Sequence, residues 1–315
     1  MNHHCAAKTQ IHHWPPLDTA AALLMAGTSV HANTGKLLLT GGISKVEGAA
    51  GGDLSPWVVI GSQPSEDETG ASVLASRAVT QDHALSVQGL AVGIHDRLEP
   101  SVAHQEFDTG ITGTQLGLRG LHLRQDIFGA KLRVASDTVL DGDSLMPQIA
   151  LGVHHKQLRS SGPDGTLAAL GAQRSGTDLY LSATKLFLAQ GLLVNGKLRA
   201  TNANQNDLLG FGATLGGSTN SYHLQPEVSV AWLLRKDLAV GFEYRAMPNR
   251  LQRAGNAAGL GNGLAADDWK DLFIAWAPNK NLSLTLAYVD LGRIVPATTG
   301  NRTQTGVYLS AQLAF

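Results

Sequence analysis

The 315-residue chain sets 24 lysines and arginines against 25 aspartates and glutamates, a formal net charge of -1, so no basic field exists to hold nucleic acid or an anionic membrane surface. The single cysteine, Cys5, lies in the N-terminal leader, so with the leader removed the chain has no thiol for disulfides or cysteine-ligated metals. Glycine is abundant at 36 residues while charged residues make up 16% and aromatics 5%, which suits many turns and curved sheets more than helices.

The chain opens with a His-rich stretch and a short apolar run, TAAALLMAG (Thr19 to Gly27), followed by Val30-His31-Ala32. An apolar run before a small-x-small site reads as a secretory signal, residues 1–32, with cleavage after Ala32. No apolar run approaches the ~18 residues that a membrane-spanning helix needs. A chain like this meets the core of a bilayer only as strands.

Residues 33–69 are Gly-rich and only partly patterned, too irregular for a strand of the wall. They are expected to form a plug inside a barrel or a periplasmic segment, with Trp57 and Val58 to Ile60 as an anchor. From about residue 70 the texture changes to alternating segments separated by turn chemistry. Strands are predicted near 70–80, 84–94, 97–108, 126–137, 146–158, 177–188, 191–203, 223–235, 237–247, 269–278, 281–292 and 304–315.

Alternation sets an apolar face against a polar one. Phe128, Leu132 and Val134 oppose Lys131 and Arg133, and Leu151 and Val153 oppose His154 and Lys156. Further along, Leu192, Val194 and Leu198 oppose Asn195, Lys197 and Arg199. Leu238, Val240, Phe242 and Tyr244 oppose Ala239, Gly241, Glu243 and Arg245. The final GVYLSAQLAF places Val307, Leu309, Ala311, Leu313 and Phe315 on one face. Alternation alone also fits a soluble sandwich. Segment length favours a membrane, because spanning a bilayer at a tilt takes ~9–11 residues per strand.

The connections alternate too. Those at His95-Asp96, Ala189-Gln190, Arg235-Lys236-Asp237 and Pro278-Asn279-Lys280 are tight, and those at 109–125, 159–176, 204–222, 248–268 and 293–303 are long. Short turns on one rim and long loops on the other characterise outer-membrane barrels. The expected fold is therefore all-β: a single antiparallel transmembrane β-barrel of about 12 strands (roughly 10–14), spanning 70–315 behind a Gly-rich N-terminal segment. Its last strand closes against the first, and its apolar face meets outer-membrane lipid. The tight turn centred on Lys236 sets Glu227 opposite Arg245 and Ser229 opposite Glu243.

The stretches GKLLLTGGISKVEGAAGG (from Gly35), LQPEVSVAWLL (from Leu224) and WKDLFIAWAPNKNLSLTLAYVDLG (from Trp269) resemble the proteobacterial family catalogued as domain of unknown function 3034, from about Gly35 to Phe315. The resemblance implies a bacterial envelope protein and supplies no catalytic residue. The chain departs from the family pattern at Gly61 to Val79, which is poor in aromatics. The terminal Phe315 with its alternating apolar residues resembles the C-terminal signal read by the bacterial barrel-assembly machinery, the expected partner.

Chemistry is sought and not found in the sequence. There is no G-x-S-x-G elbow, H-E-x-x-H pair or Walker loop, so no catalytic, cofactor or metal residue is expected. The H-x-S-N-G stretch of outer-membrane phospholipases is missing, although a lipid hydrolase remains an alternative. GFGATLGG, Gly210 to Gly217, looks like a dinucleotide loop without the helix that should follow, and reads as a flexible surface loop. His154 and His155 are adjacent on a strand and point to opposite faces, so they cannot share one ion.

Lys131, Arg133, Lys156, Lys197, Arg199, Glu227, Glu243 and Arg245 are the expected lumen-lining residues. They either pair and fill a narrow barrel or line a narrow channel for small polar solutes. A non-conducting structural or assembly barrel and a soluble periplasmic β-protein remain open. If the lumen is wet, an arginine at Ala239 should be milder than one at Phe242.

Overall fold

The computed structural model describes residues 46–62, 64, 67–135, 146–205, 207–217 and 220–315; the predicted leader lies outside the described residues. The twelve strands are β1 (Thr69–Thr80), β2 (Ala84–Ile94), β3 (Leu98–Asp108), β4 (His122–Ala135), β5 (Gln148–Leu158), β6 (Ser175–Phe187), β7 (Leu192–Thr201), β8 (His223–Arg235), β9 (Leu238–Arg245), β10 (Trp269–Trp276), β11 (Leu282–Arg293) and β12 (Thr303–Ala314). Each pairs antiparallel with its sequence neighbours. β1 then pairs with β12, with Val73 opposite Leu313 and Val79 opposite Val307, so the sheet closes without an edge. The Gly61 to Val79 departure thus still supplies a full first strand.

Local chemistry sets the short-turn rim. His95 and Asp96 both take left-handed backbone, at φ 50° and 51°, the geometry of a two-residue turn whose twist matches the strands it joins. At the β8–β9 turn Glu227 faces Arg245 and Ser229 faces Glu243. On the opposite rim the connection 202–222 does not loop outward as a flexible surface segment. Phe211 and Ala213 are fully buried, and Phe211 exchanges backbone hydrogen bonds of 2.8 and 2.9 Å with Gln173. The Phe211 ring fills the space above Gly176, where a side chain would collide with it. Among the described residues of that connection, Thr214 to Gly217 and Asn220 to Tyr222 are exposed.

The outward face is the apolar one. Leu151, Leu181, Leu198, Ile274, Leu286 and Leu309 are exposed round the wall, with Trp232, Trp276 and Phe315 toward the short-turn rim. In water such a belt would be an aggregation surface. On a closed barrel it is the lipid face, with aromatic side chains at its border. Strands run from 8 residues in β9 and β10 to 14 in β4.

Inside, the wall is packed. Toward the short-turn rim Leu186, Leu193, Ala231, Ala239, Phe273 and Ala275 belong to one buried apolar cluster. Gly241 makes room for the Phe273 ring on the facing strand, and Gly152 does the same for Tyr180. This corrects the expectation for Ala239. It lies in a dry layer, so an arginine there meets no water and overfills the core. Phe242→Arg, on the lipid face, should lower stability by about 2–4 kcal/mol if it sits near the bilayer midplane. Ala239→Arg should lose a comparable amount, and denaturant unfolding of both variants in lipid vesicles checks the pair.

Candidate functional site

Residues 46–62 run through the interior. Val46, Leu54, Trp57, Val58, Val59 and Ile60 are all buried, and they touch strands from opposite sides of the closed sheet. The segment folds back on itself through a bridge between Gly51 and Pro56. It belongs to no ladder, so its backbone N–H groups need other acceptors. Wall side chains supply them. Glu99 accepts from Ala50 N–H at 2.9 Å and Gly61 N–H at 2.6 Å. Glu243 accepts from Leu54 N–H at 2.7 Å, and Thr184 accepts from Val58 N–H at 2.9 Å. In return, Lys131 donates to the Ala50 carbonyl at 3.0 Å, Arg245 to the Leu54 carbonyl at 3.2 Å and Ser182 to the Pro56 carbonyl at 3.1 Å.

Glu47 is the electrostatic centre of this contact. Its carboxylate accepts from Lys156 Nζ at 2.7 Å and Arg245 Nη2 at 2.8 Å, with His154 Nδ1 at 3.5 Å and Lys197 Nζ at 3.8 Å. The same cations are shared with the wall. Lys156 also reaches Asp178 at 2.8 Å and pairs with Asp207 from the inward loop. Lys197 and Arg199 reach Glu227 at 3.0 and 2.8 Å, and Lys197 lies 4.7 Å over the Tyr180 ring. Burial pushes the Glu47 carboxyl up, but the charges of Arg245, Lys156 and Lys197 prevail and hold it well below the usual carboxylate range.

All eight side chains predicted to line the lumen are buried. Lys156, Lys197, Arg199, Glu227 and Arg245 converge on one network. Lys131 stands apart with Glu99 at 3.0 Å, and Arg133 pairs with Asp96 at the short-turn rim. Glu243 faces a different neighbourhood, where Asp53 and Asp271 lie close to it.

Sequence reasoning passed over Glu47, Glu99, Asp178, Asp207 and Asp271. Asp178 and Asp271 were readable by parity, since each alternates with lipid-facing leucines, Leu179 and Leu272. Glu47 and Asp207 sit in segments without periodicity and carried no such signal.

A cavity bordered by Val46, Glu47, Gln105, Phe107, Arg245 and Trp269 measures about 30 Å³, close to the volume of one water in the liquid. On the long-loop rim a wider recess of about 500 Å³ opens among Met247, Asn249, Asp267, Asp268, Lys270 and Asp290.

The model of the family described as Protein of unknown function (DUF3034) matches residues 40–312. The chain belongs to this family. No curated protein matches it in sequence. Among solved structures the chain is similar to the KdgM porin, at 9% identity and TM-score 0.48, with 78% of this chain and 99% of that one covered. It is also similar to the COG4313 outer membrane channel from Pseudomonas putida F1, at 11% identity and TM-score 0.48, covering 78% and 95%. Outer membrane phospholipase A from Escherichia coli is similar at 13% identity and TM-score 0.42, covering 77% and 92%.

Proposed function

We propose that this protein is a bacterial outer-membrane barrel that acts as a narrow channel for small polar solutes and is closed by its own N-terminal segment. The observation that carries the reading is Glu47. A carboxylate on a segment outside the wall is held among wall cations, as an anionic solute would be. Around it, Lys156, Lys197, Arg199 and Arg245 contribute four positive charges, against three negative ones from Asp178, Asp207 and Glu227. Withdrawing Glu47 therefore leaves one net positive charge at the constriction, which favours anions. Carboxylate-bearing solutes fit best, because arginine and lysine bind that group by charge-assisted hydrogen bonds.

The test is electrical. In planar bilayers the full-length protein should be mostly closed, and its open events should favour chloride over potassium by reversal potential under a salt gradient. Arg245→Glu should move that potential toward cation preference. A folded barrel that never conducts, even with the inner segment removed, would support the second reading, a structural barrel of the envelope. That reading is favoured only by the tight packing beside Glu47.

A further inference from the structure

The ion network around Glu47 holds a second carboxylate that does not belong to the wall. Asp207 lies on the connection between β7 and β8, and it pairs with Lys156, the same ammonium that Glu47 reaches at 2.7 Å and Asp178 at 2.8 Å. Glu47 comes from the inner segment and Asp207 from the long-loop side, so two distant parts of the chain meet on one wall lysine. Both are buried, and an oxygen of each lies within 4.8 Å of the other.

Two further observations bear on what these carboxylates stand for. Asp207 takes left-handed backbone at φ 70°, in a turn where its N–H donates to the Asn204 carbonyl at 3.2 Å and its carbonyl accepts from Gly210 N–H at 2.9 Å. A backbone that glycine adopts most easily here carries a carboxylate, and that carboxylate goes to Lys156. The wall cations also keep donors in reserve. Lys197 Nζ and Arg199 Nη1 are buried, and among the described residues neither donates a hydrogen bond beyond its ion-pair contacts, the nearest of which are at 3.0 and 3.5 Å. Buried donors left so cost free energy. A carboxylate free of the backbone can turn its oxygens to them, as Glu47 and Asp207 cannot.

We propose that the lumen binds short dicarboxylates, one carboxylate taking the place of Glu47 and the other that of Asp207. The inference rests on the reading of Glu47 as a stand-in for solute and narrows the solute to one class. With both side chains withdrawn, Lys156, Lys197, Arg199 and Arg245 keep only Asp178 and Glu227 as partners within the network, an excess of two positive charges. A monocarboxylate leaves one of these unmatched; a dicarboxylate cancels both. Oxygens of the two seats lie at most 4.8 Å apart, so a short bridge such as the ethylene of succinate joins them. Once the first carboxylate is bound, the second stands at its seat at an effective concentration on the order of millimolar. Two separate monocarboxylates have no such advantage.

The experiment reads binding apart from conduction. Full-length protein carrying Glu47→Ala and Asp207→Ala together, its fold checked by heat-modifiable gel migration, is titrated calorimetrically in detergent with sodium succinate, sodium acetate and sodium sulfate. One succinate per chain should bind, at least about tenfold more tightly than acetate, the step that 1.4 kcal/mol represents. Sulfate, a dianion with a single centre, should bind more weakly than succinate. Restoring either carboxylate alone should bring succinate and acetate close together, and wild type should bind succinate more weakly than the double variant, because its own side chains compete. Should the alanine pair fail to fold, Glu47→Gln with Asp207→Asn, which keeps the shape of both side chains, is titrated by the same criteria. No succinate binding by a folded double variant, equal affinity for succinate and acetate, tighter binding of sulfate, or wild type binding succinate as tightly as the double variant overturns the proposal. Succinate bound in a barrel that never conducts keeps this site and removes the channel, whereas a conducting barrel without the preference does the reverse.

Discussion

Deleting residues 46–61 should leave a barrel that folds, inserts into lipid and conducts far more current than the full-length protein. None of the ladder pairings that close the barrel involves this segment. The acceptors it uses, Glu99, Glu243 and Thr184, are side chains that water can serve as well. Its apolar stretch Trp57 to Ile60 fills the interior without joining the wall. Heat-modifiable gel migration reports the fold, and single-channel recording reports the current. A deleted chain that fails to fold would make the segment a structural core of the wall. A folded one with unchanged current would mean that something else closes the pore.

Reversing one charge should do nearly as much with the chain intact. Glu47→Lys puts an ammonium among Lys156, Lys197 and Arg245, where the structure has a carboxylate at 2.7 and 2.8 Å from two of them. Breaking a buried pair by removing one partner costs about 3–5 kcal/mol, more than two powers of ten in the ratio of seated to released segment. The variant should be constitutively open, while Glu47→Gln should open partly.

The pH dependence follows from the depressed acidity of Glu47. A carboxyl that is more acidic when seated than when free stabilises the seated form above its free value of about 4.3. That stabilisation is lost as pH falls through the lower seated value. Wild-type conductance should therefore stay flat from neutral to mildly acidic pH and rise only in strong acid. In Glu47→Gln this acid-induced rise should be missing. A rise in wild type near pH 6 would place the controlling group elsewhere.

The barrel was legible because its wall obeys one rule, period two, over long runs. Phe128, Leu198, Phe242 and Leu309 could be assigned to lipid, and Lys156 or Arg245 to the interior, from parity alone. The β8–β9 register followed from one turn. Two physical facts hid the rest. Parity assigns a side chain to a face but not to a partner, so the ion network around Glu47 was invisible although five of its members, Lys156, Lys197, Arg199, Glu227 and Arg245, had been singled out. Alternation also says nothing about a dry interior, which is why Ala239 looked tolerant of charge. Phe211 was misjudged for a related reason. A glycine-rich loop with one aromatic reads as mobile, until that ring finds an inward-facing glycine such as Gly176 to lie against.

The inner segment is joined to the wall at one end through residues 62–68, seven positions ahead of β1 at Thr69. A ligand on so short a tether stands at its site at an effective concentration on the order of millimolar. A free carboxylate competing for Lys156 and Arg245 works against that standing concentration. The channel would then answer to solute abundance as a threshold, staying shut to traces and yielding only when the surroundings are rich in what it carries. Lengthening the tether should lower the threshold without touching a single contact in the lumen.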